Sequence, residues 1–120
     1  MTIINWRHVE PTVAHLQGES RSLLQHVSRD GASPVLRGLR FVNRSRLAAG
    51  ASHEPHRHDD HEEVFYIVGG TGAVLLGEER HAVREGDAVY VPTGTMHGLI
   101  NDSTDWLDFV AIGGPIMDAR

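Results

Sequence analysis

Cysteine is absent from this chain of 120 residues. That removes disulfides, thiolate nucleophiles and cysteine-type zinc sites in one step. Lysine is absent too, so all 11 basic residues are arginine. No side-chain Schiff base can form, which excludes lysine-dependent carbonyl chemistry. No apolar run approaches the ~18 residues needed to span a bilayer. The segment Met1 to Arg7 lacks the basic-then-apolar order of a secretory signal. No membrane partner is expected, and the expected location is the cytoplasm. The formal net charge of −5 disfavours binding to a phosphate backbone, so nucleic acid is not an expected partner. Histidine is plentiful instead. There are nine, and His53, His56, His58 and His61 crowd into one short stretch.

The length fits one domain with one core. Turn signals and short β-rich runs follow one another, the pattern of an all-β barrel or sandwich. Residues 1–37 form a leader in which Ser20 to Val27 reads as a short strand or one helical turn. Asp30-Gly31 and Ser33-Pro34 are turn signals. From Leu39 the period is two. Leu39, Phe41, Asn43, Ser45 and Leu47 share the face expected to look inward. Arg40, Arg44 and Arg46 share the other face, expected to be solvated or paired with carboxylates. An anion site at a subunit seam is the competing reading of that arginine stripe. Glu63 to Val68, Gly72 to Leu76, Arg80 to Val83, Ala88 to Val91, Met96 to Ile100 and Trp106 to Ile112 read as further strands. Roughly eight strands result, matching a small double-sheet jelly roll, with the barrel over 38–114 and a tail over 115–120.

Two stretches carry the chemistry. The first is Gly50-x5-His56-x-His58-x4-Glu63-x6-Gly70; the second is Gly86-x5-Pro92-x-Gly94-x2-His97-x3-Asn101. His56 and His58 are two apart, so a strand sends both side chains to the same face. Pairing that extended stretch with the strand opening at Glu63 would set the carboxylate beside them. His97 must come from the second sheet or the barrel closure. Three imidazoles and a carboxylate suit first-row metals. A lone His-x-His is more often a surface pair, and Glu63 alone is only a strand-end carboxylate; the joint pattern is what counts.

Both stretches resemble the paired signatures of the cupin superfamily, with every fixed position present. The short gap between them, Thr71 to Glu85, is similar to that of small single-domain cupins. The resemblance covers about residues 38–113. It implies a jelly-roll β-barrel (a double-stranded β-helix) and one divalent transition metal ligated by His56, His58, Glu63 and His97. Fe, Mn, Ni, Zn, Co and Cu all remain open. It also implies that homodimers are common, often with N-terminal strands crossing between subunits.

With a divalent ion, such a site carries a formal charge of +1 and favours a small, anionic partner molecule. A substrate offering two oxygens would suit an ion with two open positions. The expected function is an enzyme on a small oxygenated metabolite, either a dioxygenase or a lyase, isomerase or cyclase. A non-catalytic ligand-binding or sensing module is the alternative. His61, placed by its sequence in a loop at the mouth, is a candidate general base, against the plainer reading of a solvated loop histidine. Asn43, Ser45, Phe65, Met96 and Phe109 are candidate pocket walls, with plain packing as the competing reading for the last two. Tyr66 and Tyr90 have the wrong parity to follow Glu63 inward, so core or interface roles are expected for them, and Trp106 is expected to pack at an edge or interface.

Overall fold

The computed structural model describes residues 2–14, 18–27 and 34–116. The turn expected at Asp30-Gly31 and most of the C-terminal tail lie outside them. Among the described residues, a 3-10 turn at Trp6–His8 is followed by nine strands: β1 (Thr12–Ala14), β2 (Gly18–Gln25), β3 (Phe41–Leu47), β4 (His61–Gly69) and β5 (Thr71–Leu76). β6 (Glu79–Arg84), β7 (Ala88–Val91), β8 (His97–Ile100) and β9 (Leu107–Pro115) complete the set. They form a six-stranded sheet in the order β1-β2-β3-β9-β4-β7 and a three-stranded sheet in the order β6-β5-β8. All pairings within the sheets are antiparallel.

Alternation decides which side chains face inward. Along β4, Glu63, Phe65 and Ile67 are buried while Tyr66 between them is exposed. Along β9, Leu107, Phe109 and Ala111 are buried. With Leu47, Val74, Val91 and Leu99 they make one core between the sheets. Full burial of each large aliphatic or aromatic side chain contributes about 1.5–3 kcal/mol. Tyr90 is exposed on β7, so both tyrosines point away from Glu63 and neither takes the core role expected as one alternative, because their faces of β4 and β7 look outward.

The stretch Ser20 to Gln25, ambiguous in the sequence, is strand. Its partner β3 supplies the ladder that a serine-rich segment cannot specify alone. Leu39 is a correction: it precedes β3 and is exposed, because the alternation starts only where the ladder does. The arginine face is paired with a carboxylate. Arg44 and Arg46 lie 3.6 and 3.4 Å from Asp108 on the neighbouring β9. Their guanidinium groups also stack over Trp6 and Trp106.

Two close approaches depend on glycine, one at the end of the first signature stretch and one inside the second. Gly70 has φ +89°, and a Cβ there would overlap the Trp106 carbonyl oxygen. Gly98 lets β8 pass the 53–55 backbone, where its Cβ would lie 3.2 Å from the His53 carbonyl oxygen. Glycine is the residue that meets both demands.

Candidate metal centre

The 53–58 stretch does not pair with β4, as its sequence suggested. It runs instead beside β8. His53 N donates to Leu99 O at 2.8 Å. His56 N donates to His97 O at 2.9 Å, and His97 N donates back to His56 O at 2.8 Å. This isolated antiparallel bridge puts the two histidines directly opposite each other, with ring centroids 4.4 Å apart. His58, two residues on, follows to the same side, its ring 5.3 Å from that of His97. Glu63 enters from β4 of the other sheet and is buried. The site therefore forms where the sheets meet.

The ring nitrogens turned away from the cluster are held by backbone carbonyls. Nδ1 of His97 donates to Thr95 O at 2.8 Å, and Nδ1 of His56 donates to Glu54 O at 3.1 Å. A carbonyl only accepts, so each Nδ1 carries the hydrogen and each Nε2 presents its lone pair. His58 Nε2 lies 2.7 Å from Glu63 Oε1, and His97 Nε2 lies 3.7 Å from the same oxygen. His97 Nε2 is buried and has no hydrogen-bond partner among the described residues.

The electrostatics follow from this crowding. Burial holds His58 below its ordinary 6.5, against the pull of Glu63, and neighbouring His61 and His97 reinforce the lowering. Burial acts downward on His97 too, but the nearby Glu63 carboxylate and the bond to the Thr95 carbonyl carry it above 6.5. Glu63 sits in a dry place that favours the neutral acid, yet His97, His58 and His61 together keep it below its ordinary range.

One ligand atom from each of His56, His58, Glu63 and His97 lies within 4.8 Å of all the others. Ligand atoms about 2.1 Å from a shared ion stand at most about 4.2 Å apart. Side-chain adjustments of a few tenths of an ångström would bring all four to one cation. A buried, unpartnered imidazole nitrogen aimed at a carboxylate is what such an ion would satisfy. The donor set fits one divalent transition metal.

Beside the cluster lies a cavity of about 140 Å³. Its walls include Asn43, Ser45, Phe65 and Phe109, as their parity predicts. Met96 does not join them. It precedes β8 and is 43% exposed, because the strand's alternation starts only at His97. Ser20 and Phe41 are walls that sequence reasoning did not name. The serine alternation in Gly18–Gln25 and the parity of Phe41 were the available signals. His61 is not a solvated loop residue. It is the first residue of β4, its ring stacks on that of His58 at 4.2 Å, and its Nδ1 lies 2.9 Å from Asp60 Oδ1.

A two-sheet β-helix of this kind defines a jelly roll, and the donor set at its sheet junction could hold a metal ion. Residues 43–113 match the Cupin_2 family, described as the cupin domain, and the chain belongs to that family. It is 39% identical over 100 residues to an uncharacterized protein of Methanocaldococcus jannaschii, covering 75% of this chain and 78% of that one. It is 33% identical over 55 residues to the pectin degradation protein KdgF of Dickeya dadantii, covering 46% of this chain and 50% of that protein. Among solved structures, a predicted oxalate decarboxylase from Thermotoga maritima superposes with a TM-score of 0.82. That match has 20% identity and covers 96% of this chain and 100% of the other. At that identity the likeness speaks for the fold.

Proposed function

We propose that this protein is an enzyme acting on a small oxygenated metabolite, a carboxylate, hydroxy acid or carbonyl compound, at one divalent metal held by His56, His58, Glu63 and His97. The observation that carries the reading is the position of three of the four donors, His56, His58 and Glu63, in the wall of a cavity. A purely structural ion needs no such space. When bound, the ion supplies a Lewis acid that draws in a substrate's oxygens and polarises them.

The chain's own residues do the rest. The cavity volume is below the ~300 Å³ at which clefts for drug-sized ligands begin, so it selects small molecules. Phe65 and Phe109, both buried, give it apolar walls. Asp60 accepts a hydrogen bond from His61 Nδ1–H, which leaves Nε2 as the proton acceptor. That Nε2 is buried, without a hydrogen-bond partner among the described residues, and 3.7 Å from Glu63 Oε1. His61 is thereby oriented as a general base beside the donor cluster. KdgF, the relative from Dickeya dadantii, is named for the degradation of pectin, a carboxylate-rich carbohydrate, which supports an oxygen-rich acidic substrate here.

The test is turnover by protein loaded separately with Fe, Mn and Zn against small hydroxy- and oxo-acids, followed by NMR and an oxygen electrode. Conversion that is lost in His61→Gln and in Glu63→Gln supports the reading. Oxygen uptake marks the dioxygenase branch, and turnover without it the lyase or isomerase branch. An acid that binds tightly and is recovered unchanged with every metal would establish a binding module instead.

A further inference from the structure

Between Phe41 and Leu47, the interior faces of β2 and β3 carry polar side chains where a barrel usually places aliphatic ones. Ser20, Ser22 and Gln25 on β2 and Ser45 on β3 are all buried, and Asn43 is half-buried beside them. Burying such groups costs free energy unless each finds a partner. Two pairs form: Ser45 Oγ donates to Ser20 Oγ at 3.0 Å, and Gln25 Nε2 donates to Asn43 Oδ1 at 3.1 Å. Each pair uses one donor and one acceptor. The remaining hydrogen-bonding capacity of Ser20, Ser45 and Asn43 faces the inner cavity.

The backbone is bent to extend this row. The β2–β3 register shifts between Ser22 and Leu24, so the buried positions run 20, 22 and then 25. A bulge that re-aims a side chain is a built feature. Without it Gln25 would face out and Leu24 in.

Gln25 also lines a second cavity of about 380 Å³, together with His26, Arg40, Phe41 and His61. Phe41 borders both cavities, and the Gln25–Asn43 hydrogen bond crosses from one to the other. Arg40 stands at the outer end. One of its Nη1 donors reaches Asp60 Oδ2 at 2.8 Å, with the side chains 40% and 66% exposed. An ion pair this open contributes little, so a ligand carboxylate can replace Asp60 at small cost. Bidentate capture is available to the guanidinium fork.

On the basis of the metal reading above, we infer that the substrate class is a polyhydroxylated acid with a second anionic end. Its first acid group lies at the donor cluster. Its hydroxyls run along Ser20, Ser45 and Asn43, and its distal carboxylate meets Arg40. A wall of buried polar groups rejects a ligand lacking the matching hydroxyls, because the wall is then left unpaired.

Three six-carbon probes separate the parts: glucarate (two carboxylates, hydroxylated), gluconate (one carboxylate, hydroxylated) and adipate (two carboxylates, no hydroxyls). Binding is measured by calorimetry on zinc-loaded wild type, Arg40→Gln and Ser45→Ala, with zinc content and circular dichroism checked on each. Glucarate should bind wild type about tenfold more tightly than either of the others. Arg40→Gln should bring glucarate to the level of gluconate and leave gluconate unchanged. Ser45→Ala should weaken glucarate and gluconate but not adipate. Equal affinities for the three probes, no binding of glucarate, or an equal loss for glucarate and gluconate in Arg40→Gln overturns the inference. A wild type that takes up no zinc fails the metal reading instead. The substrate inference is then decided on the metal-free protein by whether Arg40→Gln removes a preference for glucarate over gluconate.

Discussion

His56 and His97 face each other across two reciprocal backbone hydrogen bonds, of 2.9 and 2.8 Å. The bridge fixes the rings by main-chain geometry before any ion arrives. A site whose ligands are already oriented loses little side-chain entropy on binding. The rings are further locked through Nδ1 by the Glu54 and Thr95 carbonyls.

Removing one ring should therefore cost metal and not the fold. His58→Ala is expected to lower metal affinity by at least ~100-fold, more than loss of an outer partner does. The circular dichroism of the barrel should stay the same, since His58 is not among the core side chains. Elemental analysis after dialysis checks this. Unchanged metal content in the variant would show the assignment to be wrong.

Acid should release the ion. Ligand imidazoles must be neutral to bind. Protonated His97 contributes stability to the ion-free fold that is fully present below its unfolded value near 6.5 and lost as pH rises through its raised folded value. The ion needs the opposite state of the same ring. The gain in Tm on adding zinc should accordingly grow from about pH 5.5 to about pH 8. Calorimetric scans with and without zinc across that range read the effect. A gain independent of pH would contradict imidazole ligation.

Asn101 closes the second signature stretch but holds structure rather than metal. It is fully buried, and its amide nitrogen donates to Leu47 O at 2.9 Å and to Asp105 O at 2.7 Å. Its side-chain oxygen accepts from Ser103 N and Ser103 Oγ. Asn101→Ala leaves these groups unpaired and should cost about 2–4 kcal/mol in urea unfolding. Zinc affinity of the folded fraction should be unchanged. A loss below about 0.5 kcal/mol would mean that water replaces the amide freely.

Gly70→Ala should destabilise through backbone alone. It would force alanine into positive φ and drive its methyl into the Trp106 carbonyl oxygen. A cost of about 3 kcal/mol is expected, seen as a lower urea midpoint with an unchanged m-value. An unaffected midpoint would show that the turn relaxes.

The strands were legible in the sequence because alternation is a short-range rule, whereas the donor set was legible only through the joint pattern of two distant stretches and its resemblance to the cupin signatures. Alternation puts Asn43, Ser45, Phe65 and Phe109 inward, and a two-residue spacing sends His56 and His58 to one side. Strand partners were not legible. Nothing local to residues 53–58 says that they run beside β8 and not beside β4, since that choice depends on contacts between distant segments. Parity also fails at irregularities. The bulge after Ser22 turns Gln25 inward, and Met96, just ahead of β8, is left exposed. The Arg40–Asp60–His61 link joins three residues through side chains alone, and no backbone period announces it.

The most direct test is anomalous diffraction from crystals of protein purified without chelators, recorded on both sides of a transition-metal absorption edge. The account predicts one strong peak per chain, about 2.0–2.2 Å from the nitrogens of His56, His58 and His97 and an oxygen of Glu63. A peak elsewhere on the chain, or a zinc-soaked crystal with no peak among these four side chains, would contradict it.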